Sequence, residues 1–416
     1  MTALIKGTLA AAGLSAALAT AGGAQTVAIT NGTIYPVSSA KIDRGTVVIQ
    51  NGRITAVGAN VAVPAGATVI DASGKVVTPG FIHAEARAGG GVAGLFTLGE
   101  TARQGEVTPS FNPRLGLDPG AITIPVARTG GVTTGIVSPG GNFLPGQSLA
   151  INFSGDDIEA MVVRSPVALD LDLSSSSRSA GGNSRAGAIE RLRQLFADAT
   201  EYDRRRAEYR RDAMQDLSAP VAELEALLPA LKGQLPVLIT ANRAMDIENA
   251  LRIVREFRLR AILAGGVEAW KVADKIAAAR IPVVVDPTTD IPSFDGLGAR
   301  LDNATLLREA GISVILAGGD PGGERNLRFK AGNAVRNGMT WDDALKAVTQ
   351  WPAEAFGLDQ LGTLAAGKAA NLVIWSGDPF EPANWAERVL IGGVETSLRT
   401  RENELRDRYR TLPPTR

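Results

Sequence analysis

Three side chains with acid–base chemistry alternate within one short apolar segment, residues 81–87. They are His83, Glu85 and Arg87. Residues two apart in an extended strand lie on the same face, so this spacing predicts one polar face. An imidazole titrates near neutral pH, a carboxylate accepts a proton or binds a cation, and a guanidinium keeps its positive charge. The segment therefore predicts a site for proton transfer or for binding a charged ligand.

Three further carboxylates are candidates for the same site. Asp170 and Asp172 are also two residues apart and share a strand face by the same rule. Asp320 lies in the sequence Gly-Gly-Asp-Pro-Gly-Gly, which is typical of a tight turn but also presents a carboxylate at a strand end. We expect Asp320 and His83 to be the residues with a catalytic role.

The composition limits the chemistry. The chain has one His and no Cys among 416 residues, with 43 basic and 43 acidic residues. Zinc sites draw chiefly on His and Cys, so no zinc is expected, whereas weak binding of a divalent cation at the carboxylates stays open. The balanced charge gives no reason to expect nucleic acid or an anionic membrane as a partner.

These residues belong to a chain in which strands and helices alternate. Four β-then-α units begin near residues 236, 260, 281 and 312, and further strands are predicted at 81–87, 133–138, 148–153 and 167–173. Eight such strands predict a (β/α)₈ TIM-type barrel, an α/β fold whose active sites lie at the carboxyl ends of the strands. The third strand could equally belong to a hairpin.

The two chain ends have a β pattern instead. Asn31-Gly32 and Asn51-Gly52 each separate β-branched runs, which indicates two hairpins. We therefore expect a small composite β-sandwich from residues 25–75 and 357–398, a barrel from 76–356, and a C-terminal helix and tail from 399–416.

The first 24 residues are typical of a secretory signal. Lys6 precedes a small apolar run over residues 7–19 that is too short to span a bilayer, and cleavage is expected after Ala24. We expect the mature protein to be secreted or periplasmic.

Several phrases, in order, resemble the amidohydrolase superfamily, in particular its imidazolonepropionase-like and prolidase-like group. They include "NGRITAVG", "VTPGFIHAEAR", "EAWKVADKIAAARIPVVV" and "LGTLAAGKAANLVIWSGDPFE". The resemblance covers about residues 30–394. It implies a barrel with a β-sandwich, a site for one or two divalent metals, and hydrolysis of C–N bonds.

The resemblance also implies where the metal ligands should be. The His-x-His pair of the first strand falls on Glu85 and Arg87. The fifth-strand position falls on Thr240 and Asn242, and the sixth-strand His falls on Gly265. The aspartate of the eighth strand is retained as Asp320, so the histidine ligands are missing while the rest of the pattern is kept.

Three interpretations of these replacements follow. Arg87 could replace the metal charge by pairing with Glu85 or Asp320, which would leave a salt-bridged plug. The same residues could form a metal-free acid–base site. An oxygen-only site for Mg²⁺ or Ca²⁺ could use Glu85, Asp320 and either Asp170 or Asp172.

The favoured functional hypothesis is a pseudoenzyme. It would bind a small molecule, form homo-oligomers, or pair with an active homologue. The alternative is a divergent hydrolase that uses Asp320 without the usual binuclear metal centre.

Overall fold

The computed structural model describes residues 26–86, 107–209, 217–289, 293–318 and 323–410. The predicted signal segment, Arg87 and Asp320 lie outside these ranges, so the interpretations that depend on them stay predictions. In the part of the chain that is described, no helix combines the length and apolar character needed to cross a membrane.

Strands from both chain ends form one eight-stranded sheet, as the β pattern of the ends predicted. They are β1 (Thr26–Ile34), β2 (Ile42–Gln50), β3 (Arg53–Gly58), β4 (Thr68–Asp71), β5 (Val76–Pro79), β14 (Leu372–Trp375), β15 (Ala386–Ile391) and β16 (Val394–Thr396). One edge of β1 pairs with β2, and the other is divided between β4 and β5. The curling of this sheet into a sandwich, and the exact domain boundaries, stay predictions.

The two Asn-Gly pairs have different structural roles. Asn51 and Gly52 both have positive φ, 50° and 76°, and connect β2 to β3 as a tight hairpin. Asn31 also has a positive φ, 64°, but it lies inside β1, where the register with β2 shifts. The predicted hairpin at Asn31-Gly32 is therefore wrong, because β1 continues past the irregularity and keeps its partners on both edges.

A second sheet of eight strands forms the barrel. Its members are β6 (Phe81–Ala86), β7 (Val132–Val137), β8 (Gly146–Asn152), β9 (Val162–Asp172), β10 (Val237–Ala241), β11 (Ala261–Gly265), β12 (Val283–Val285) and β13 (Val314–Leu316). The hydrogen-bonded order follows the chain from β6 to β13, and β13 contacts β6, which nearly closes the barrel. The predicted eight-stranded barrel is thus confirmed.

One barrel strand runs against the others. β8 is antiparallel to both β7 and β9, whereas the pairs β6–β7 and β9 to β13 are parallel. The prediction of eight parallel strands is therefore wrong for the third strand, β8. The hairpin alternative describes this strand correctly. The connection from β7 to β8 explains the direction, because it is a short loop and lacks the crossover helix that a parallel strand requires.

Helices surround the barrel and extend beyond it. They are α1 (Thr123–Thr129), α2 (Ile158–Met161), α3 (Arg185–Arg204), α4 (Arg206–Tyr209), α5 (Val221–Leu231), α6 (Ala244–Phe257), α7 (Ala273–Ala279), α8 (Asn303–Glu309), α9 (Leu327–Arg336), α10 (Trp341–Ala347), α11 (Gln350–Ala355) and α12 (Arg401–Tyr409). In α3, Leu192, Leu195, Phe196 and Ala199 are buried at helical spacing against the outer faces of β9 and β10.

The sheet of the chain ends is fixed to the barrel by a buried junction. Trp375 of β14 is fully buried, packs on Phe81 with ring centroids 5.2 Å apart, and donates through Nε1 to Thr78 Oγ1 at 2.9 Å. Asn371 donates to Asn152 Oδ1 of β8 at 3.0 Å. These contacts fix the start of β6, which carries the first candidate residues, against the sheet.

Candidate functional site

A cavity of about 210 Å³ opens at the carboxyl ends of the barrel strands. This is the end at which β/α barrels carry their active sites. It is lined by Glu85, Asn242, Gly265, Val267, Val284, Val285, Asp286, Thr289, Arg300, Asn303 and Gly318. Three residues at predicted ligand positions, Glu85, Asn242 and Gly265, are therefore brought together.

The first-strand residues lie at different depths. Glu85 is half-buried and lines the cavity. His83 is 1% exposed and accepts a hydrogen bond at Nδ1 from the Glu85 backbone N–H at 3.2 Å. Glu85 lines the cavity, whereas His83 does not. His83 is therefore a buried interior residue, and its side chain is not part of the cavity wall.

The fifth-strand position, Thr240 and Asn242, has no imidazole but has polar side chains. Thr240 is the fourth residue of β10 and is paired with Ala264 of β11 and with Asp172 of β9. Asn242 follows the strand and accepts from the Glu268 N–H through its own carbonyl at 2.8 Å. Its side-chain amide is left to face the cavity, where it offers a donor and an acceptor.

The sixth-strand position is shaped for glycine. Gly265 has a φ of 81°, a region that residues with a Cβ rarely adopt. A Cβ built there would lie 2.3 Å from Asn242 Oδ1. The family's histidine cannot be accommodated at this position without moving Asn242 and the backbone.

The sequence interpretation missed an ion pair beside the cavity. Lys330 of α9 has a side chain only 4% exposed, and its Nζ donates to Asp286 Oδ2 at 2.6 Å and to Thr288 Oγ1 at 3.3 Å. Gly318, at the end of β13, makes room for this pair, since a Cβ there would lie 2.2 Å from Lys330 Nζ.

The pattern of α9 carried a signal for this lysine. Leu327, Lys330, Ala331 and Ala334 are all buried, at positions i, i+3, i+4 and i+7. A lysine on the apolar face of a helix is rare unless it is paired. The position of Lys330 among the apolar residues of α9 is therefore the sequence feature that indicates a buried, paired lysine.

The two aspartates of β9 do not join Glu85. Asp170 is 7% exposed and accepts from the Ser148 hydroxyl. Asp172 Oδ1 accepts from the Ser174 N–H at 2.7 Å, and its Oδ2 accepts from the Ser176 hydroxyl, which ties it to the loop after the strand. They share one strand, as predicted, but bind different partners.

Burial gives Asp170 an unusual titration. It raises the pKa of the carboxyl from 3.8 to about 7, although hydrogen bonds from Ser148, Ser138 and the Ser148 backbone act to lower the pKa. The burial penalty on the charged form dominates, so this carboxyl gains and loses its proton near neutral pH.

The residues present do not fit the metal centre that the superfamily implies. Across the described ranges, no three His, Cys, Asp or Glu residues are arranged to hold a metal ion. Asp286 is bonded to an ammonium, and Gly265 has no side chain to offer. The oxygen-only alternative that includes Asp320 stays a prediction because Asp320 lies outside the described residues.

A larger depression of about 520 Å³ lies at the opposite end of the barrel. It is lined by residues that precede the strands, such as Pro236, Arg260, Pro282 and Ser313. Residues at this end of a β/α barrel usually serve stability, so the depression is not the candidate active site.

Comparisons with known proteins agree with this architecture. The fold and the site define a β/α-barrel protein with its candidate site at the carboxyl ends of the strands. The chain is similar to an amidohydrolase from Thermotoga maritima MSB8, with a TM-score of 0.82 and 28% identity over 90% of this chain and 100% of that one. A sequence model of the Amidohydrolase family matches residues 298–398. These matches confirm the resemblance to the amidohydrolase superfamily that the motifs predicted.

Two other relatives extend the comparison. Amidohydrolase tasK of Hapsidospora irregularis is 24% identical over 396 residues, which cover 84% of this chain but 39% of that protein. The chain thus spans about two fifths of the length of this curated relative. A prolidase complexed with N-methylphosphonate-L-proline shares the fold, with a TM-score of 0.55 and 18% identity over 89% of this chain and 99% of that one.

Proposed function

We propose that this chain is an exported member of the amidohydrolase superfamily that does not carry out metal-dependent hydrolysis. In this proposal it is a pseudoenzyme with respect to that metal-dependent reaction, and its barrel mouth binds a small polar molecule. The observation that supports it most directly is the set of side chains around the cavity. Glu85, Asn242 and Gly265 stand at ligand positions, and the neighbouring carboxylate of Asp286 is held by Lys330.

The chemistry of these groups argues against the usual reaction. In the superfamily a metal lowers the pKa of water and polarises the carbonyl of the substrate. Amides, carboxylates and one interior imidazole cannot assemble the nitrogen-rich site that zinc prefers. An ammonium next to Asp286 also repels a second cation, which disfavours a hard metal at the same carboxylate.

The cavity is suited to a small ligand with amide or carbonyl groups. Asn242 and Thr289 offer both donors and acceptors, and Arg300 adds a charged donor at the rim. The volume of about 210 Å³ is below the roughly 300–1,000 Å³ typical of sites for drug-sized ligands. A dipeptide or a cyclic amide is therefore the class that we propose.

Pairing with an active homologue is part of the proposal. The relative tasK contains about three fifths of its length beyond the matched region, since the match covers 39% of it. That length is sufficient for a second domain of this size in the same protein. In this chain, a separate active homologue or a second copy of the chain could take the place of such a second domain.

Turnover and binding test the proposal. We would assay the mature protein on a panel of dipeptides and cyclic amides, with and without a chelator, beside the Asp320→Asn variant. We expect turnover at least about 10²–10³-fold below that of a metal-containing homologue, unchanged by chelation, because the metal's electrostatic contribution is absent. We also expect a ligand from the panel to raise the melting temperature of the wild type but not of Asn242→Ala.

The controls separate the outcomes. Asn249→Ala removes a partly exposed asparagine of α6 whose side chain accepts from the neighbouring Arg252, so it should keep ligand binding. Robust turnover that is lost on chelation overturns the proposal. Turnover that survives chelation and disappears in Asp320→Asn also overturns it, in favour of the divergent hydrolase. Absence of any thermal shift across the panel overturns the ligand class.

A further inference from the structure

Three side chains form a hydrogen-bonded group beside the barrel mouth. Ser138 follows β7, Ser148 lies in β8, and Asp170 lies in β9. The two serine oxygens are 2.6 Å apart, and the Ser148 hydroxyl donates to Asp170 Oδ2. Ser148 is fully buried and Asp170 is 7% exposed, whereas Ser138 is partly exposed. A hydroxyl in reach of solvent is thus connected to a buried carboxyl.

The hydrogen bonds of this group allow a continuous chain. Each serine hydroxyl has one proton to donate, and that of Ser148 goes to Asp170. Either oxygen can be the donor in the contact between the two serines, and the chain is complete when Ser138 donates to Ser148. The chain of bonds runs from Ser138 through Ser148 to Asp170, which is the direction in which a nucleophile loses its proton.

The antiparallel strand explains how the group forms. Gly146 of β8 is paired with Asp170, and Ser148 is paired with Ala168. Because β8 runs against its neighbours, its first residues lie beside the last residues of β7 and β9. A parallel strand would place Ser148 at the opposite end of the barrel, away from Ser138 and Asp170.

The position of Asp170 suits the role of a base. Its carboxyl is buried and accepts the Ser148 hydroxyl proton, and Ser148 is in contact with Ser138. A carboxylate connected to a hydroxyl in this way can accept the proton that the hydroxyl loses. A nucleophile joined to such a base is the arrangement found in acyl-transfer sites.

We propose that Ser138 is the nucleophile of a metal-free acyl-transfer site. Ser148 passes the proton of Ser138 to Asp170, which acts as the base. The substrate class is an ester or activated amide of a small carboxylic acid. This activity is independent of the ligand binding proposed for the cavity at Glu85.

The proposed reaction balances in two steps. Ser138 Oγ bonds to the carbonyl carbon, and its proton passes through Ser148 to Asp170. The bond to the leaving group breaks as that group takes a proton from Ser148, which recovers one from Asp170. Water then attacks the acyl carbon and gives one proton to Ser148, which passes one to Asp170. The acyl bond breaks, the acid is released, and Ser138 recovers a proton from Ser148 as Asp170 returns one to Ser148. The net change is ester or amide plus water giving acid plus alcohol or amine.

Covalent labelling with a fluorophosphonate tests the proposal. This probe forms a bond between phosphorus and an activated serine oxygen and releases fluoride, so intact mass shows one added group and peptide mapping locates it. We expect stoichiometric labelling of the wild type at Ser138, in the presence of chelator, and no labelling of Ser138→Ala. Chelator also separates the proposal from the alternative in which Asp170 binds a hard cation.

A matched control uses another serine bonded to a carboxylate. Ser110 is exposed, and its hydroxyl donates to Glu223 Oε1 at 2.8 Å. Ser110→Ala should label like the wild type. Equal labelling of Ser138→Ala, or labelling located at Ser110, would show that exposure and a carboxylate suffice and would overturn the proposal.

The pH profile distinguishes a relay from a structural contact. We expect the labelling rate of the wild type to increase with pH, because a base accepts the serine proton only in its unprotonated form. Asp170→Asn and Ser148→Ala should lower the rate by about 10²-fold or more, since general base catalysis is lost. Melting curves show whether each variant is folded. If the buried variants Asp170→Asn or Ser148→Ala fail to fold, Ser138→Ala still tests the proposal, because Ser138 is partly exposed and its replacement should leave the core intact. An unlabelled wild type, or an Asp170→Asn variant with the rate and profile of the wild type, overturns the proposal.

Discussion

At the scale of single residues, Asp170 is a carboxyl that the fold removes from water. It is 7% exposed and bonded by Ser148, and burial raises the pKa of its carboxyl to about 7. Desolvation favours the protonated form, whereas the hydroxyl donor favours the charged form. The outcome is a residue whose protonation state changes near neutral pH.

This titration predicts a pH dependence of stability. In the unfolded chain Asp170 releases its proton near pH 3.8, whereas the folded protein keeps it up to about pH 7. Between these values the folded state binds more protons, so the free energy of unfolding decreases as pH rises, by up to about 1.4 kcal/mol per unit. Urea unfolding of the wild type should show this decrease from pH 4 to 7, followed by a plateau.

The matched variant is Asp170→Asn, which cannot titrate. The difference in unfolding free energy between wild type and variant should change with pH over that window and be constant above it. A difference that is the same at pH 4.5 and pH 7.5 would contradict a raised pKa at Asp170.

At the scale of elements, α9 is tied to the end of β12 through a charge. The ammonium of Lys330 enters the barrel mouth from α9 and meets Asp286, which follows β12 directly. Gly318 at the end of β13 leaves the space that this contact needs. Two strand ends and a helix are thus held in place by one ion pair in which the lysine is almost fully buried.

Loss of this pair should be costly. Removing one partner of a buried ion pair typically costs about 3–5 kcal/mol, because the other charge is left uncompensated. Lys330→Met should lower the free energy of unfolding by about 3 kcal/mol, since Asp286 is 23% exposed and partly solvated. Denaturant unfolding at pH 7 measures the change.

An exposed lysine pair provides the control. Lys275 pairs with Glu248, with side chains 54% and 31% exposed, so Lys275→Met should cost less than about 1 kcal/mol. Adding Asp286→Asn to Lys330→Met should recover part of the loss. If Lys330→Met is as stable as Lys275→Met, the pair does not hold these elements together.

At the scale of the whole molecule, the chain has the barrel of its structural neighbours, whereas the cavity residues at predicted ligand positions are not histidines. The junction at Trp375 and Asn371 fixes β6 against the end sheet, as the positioning of a first-strand metal pair would require. The side chains on that frame are carboxylate, amide and glycine. The architecture and the chemistry of the site are therefore separable in this chain.

Metal analysis of the purified mature protein provides the prediction at this scale. We expect less than one tenth of an equivalent of zinc after dialysis against chelator, and no change in melting temperature when zinc is added, because one His and no Cys cannot supply the ligands of a zinc site. A metal-containing homologue treated in parallel is the control. One equivalent of zinc retained through dialysis would contradict the prediction.

The sequence by itself indicated the family resemblance, the barrel and the β-rich chain ends. Alternation of strand and helix patterns is a local property, and Asn51-Gly52 specifies its hairpin through positive φ values that few other pairs adopt. The count of histidines and cysteines requires no coordinates at all. Asn31-Gly32 has the same composition but lies within a strand, because pairing on both edges of β1 outweighed the turn preference.

Only the tertiary structure decided which side chains meet. Lys330 and Asp286 are 44 residues apart, and Ser148 and Asp170 lie on strands whose relative direction the sequence left open. Periodicity shows which face of an element is buried, but it does not show which neighbour that face contacts. The partner of a buried charge depends on packing between elements, and here that packing placed Lys330 beside Asp286 and joined Ser138 to Asp170 through an antiparallel strand.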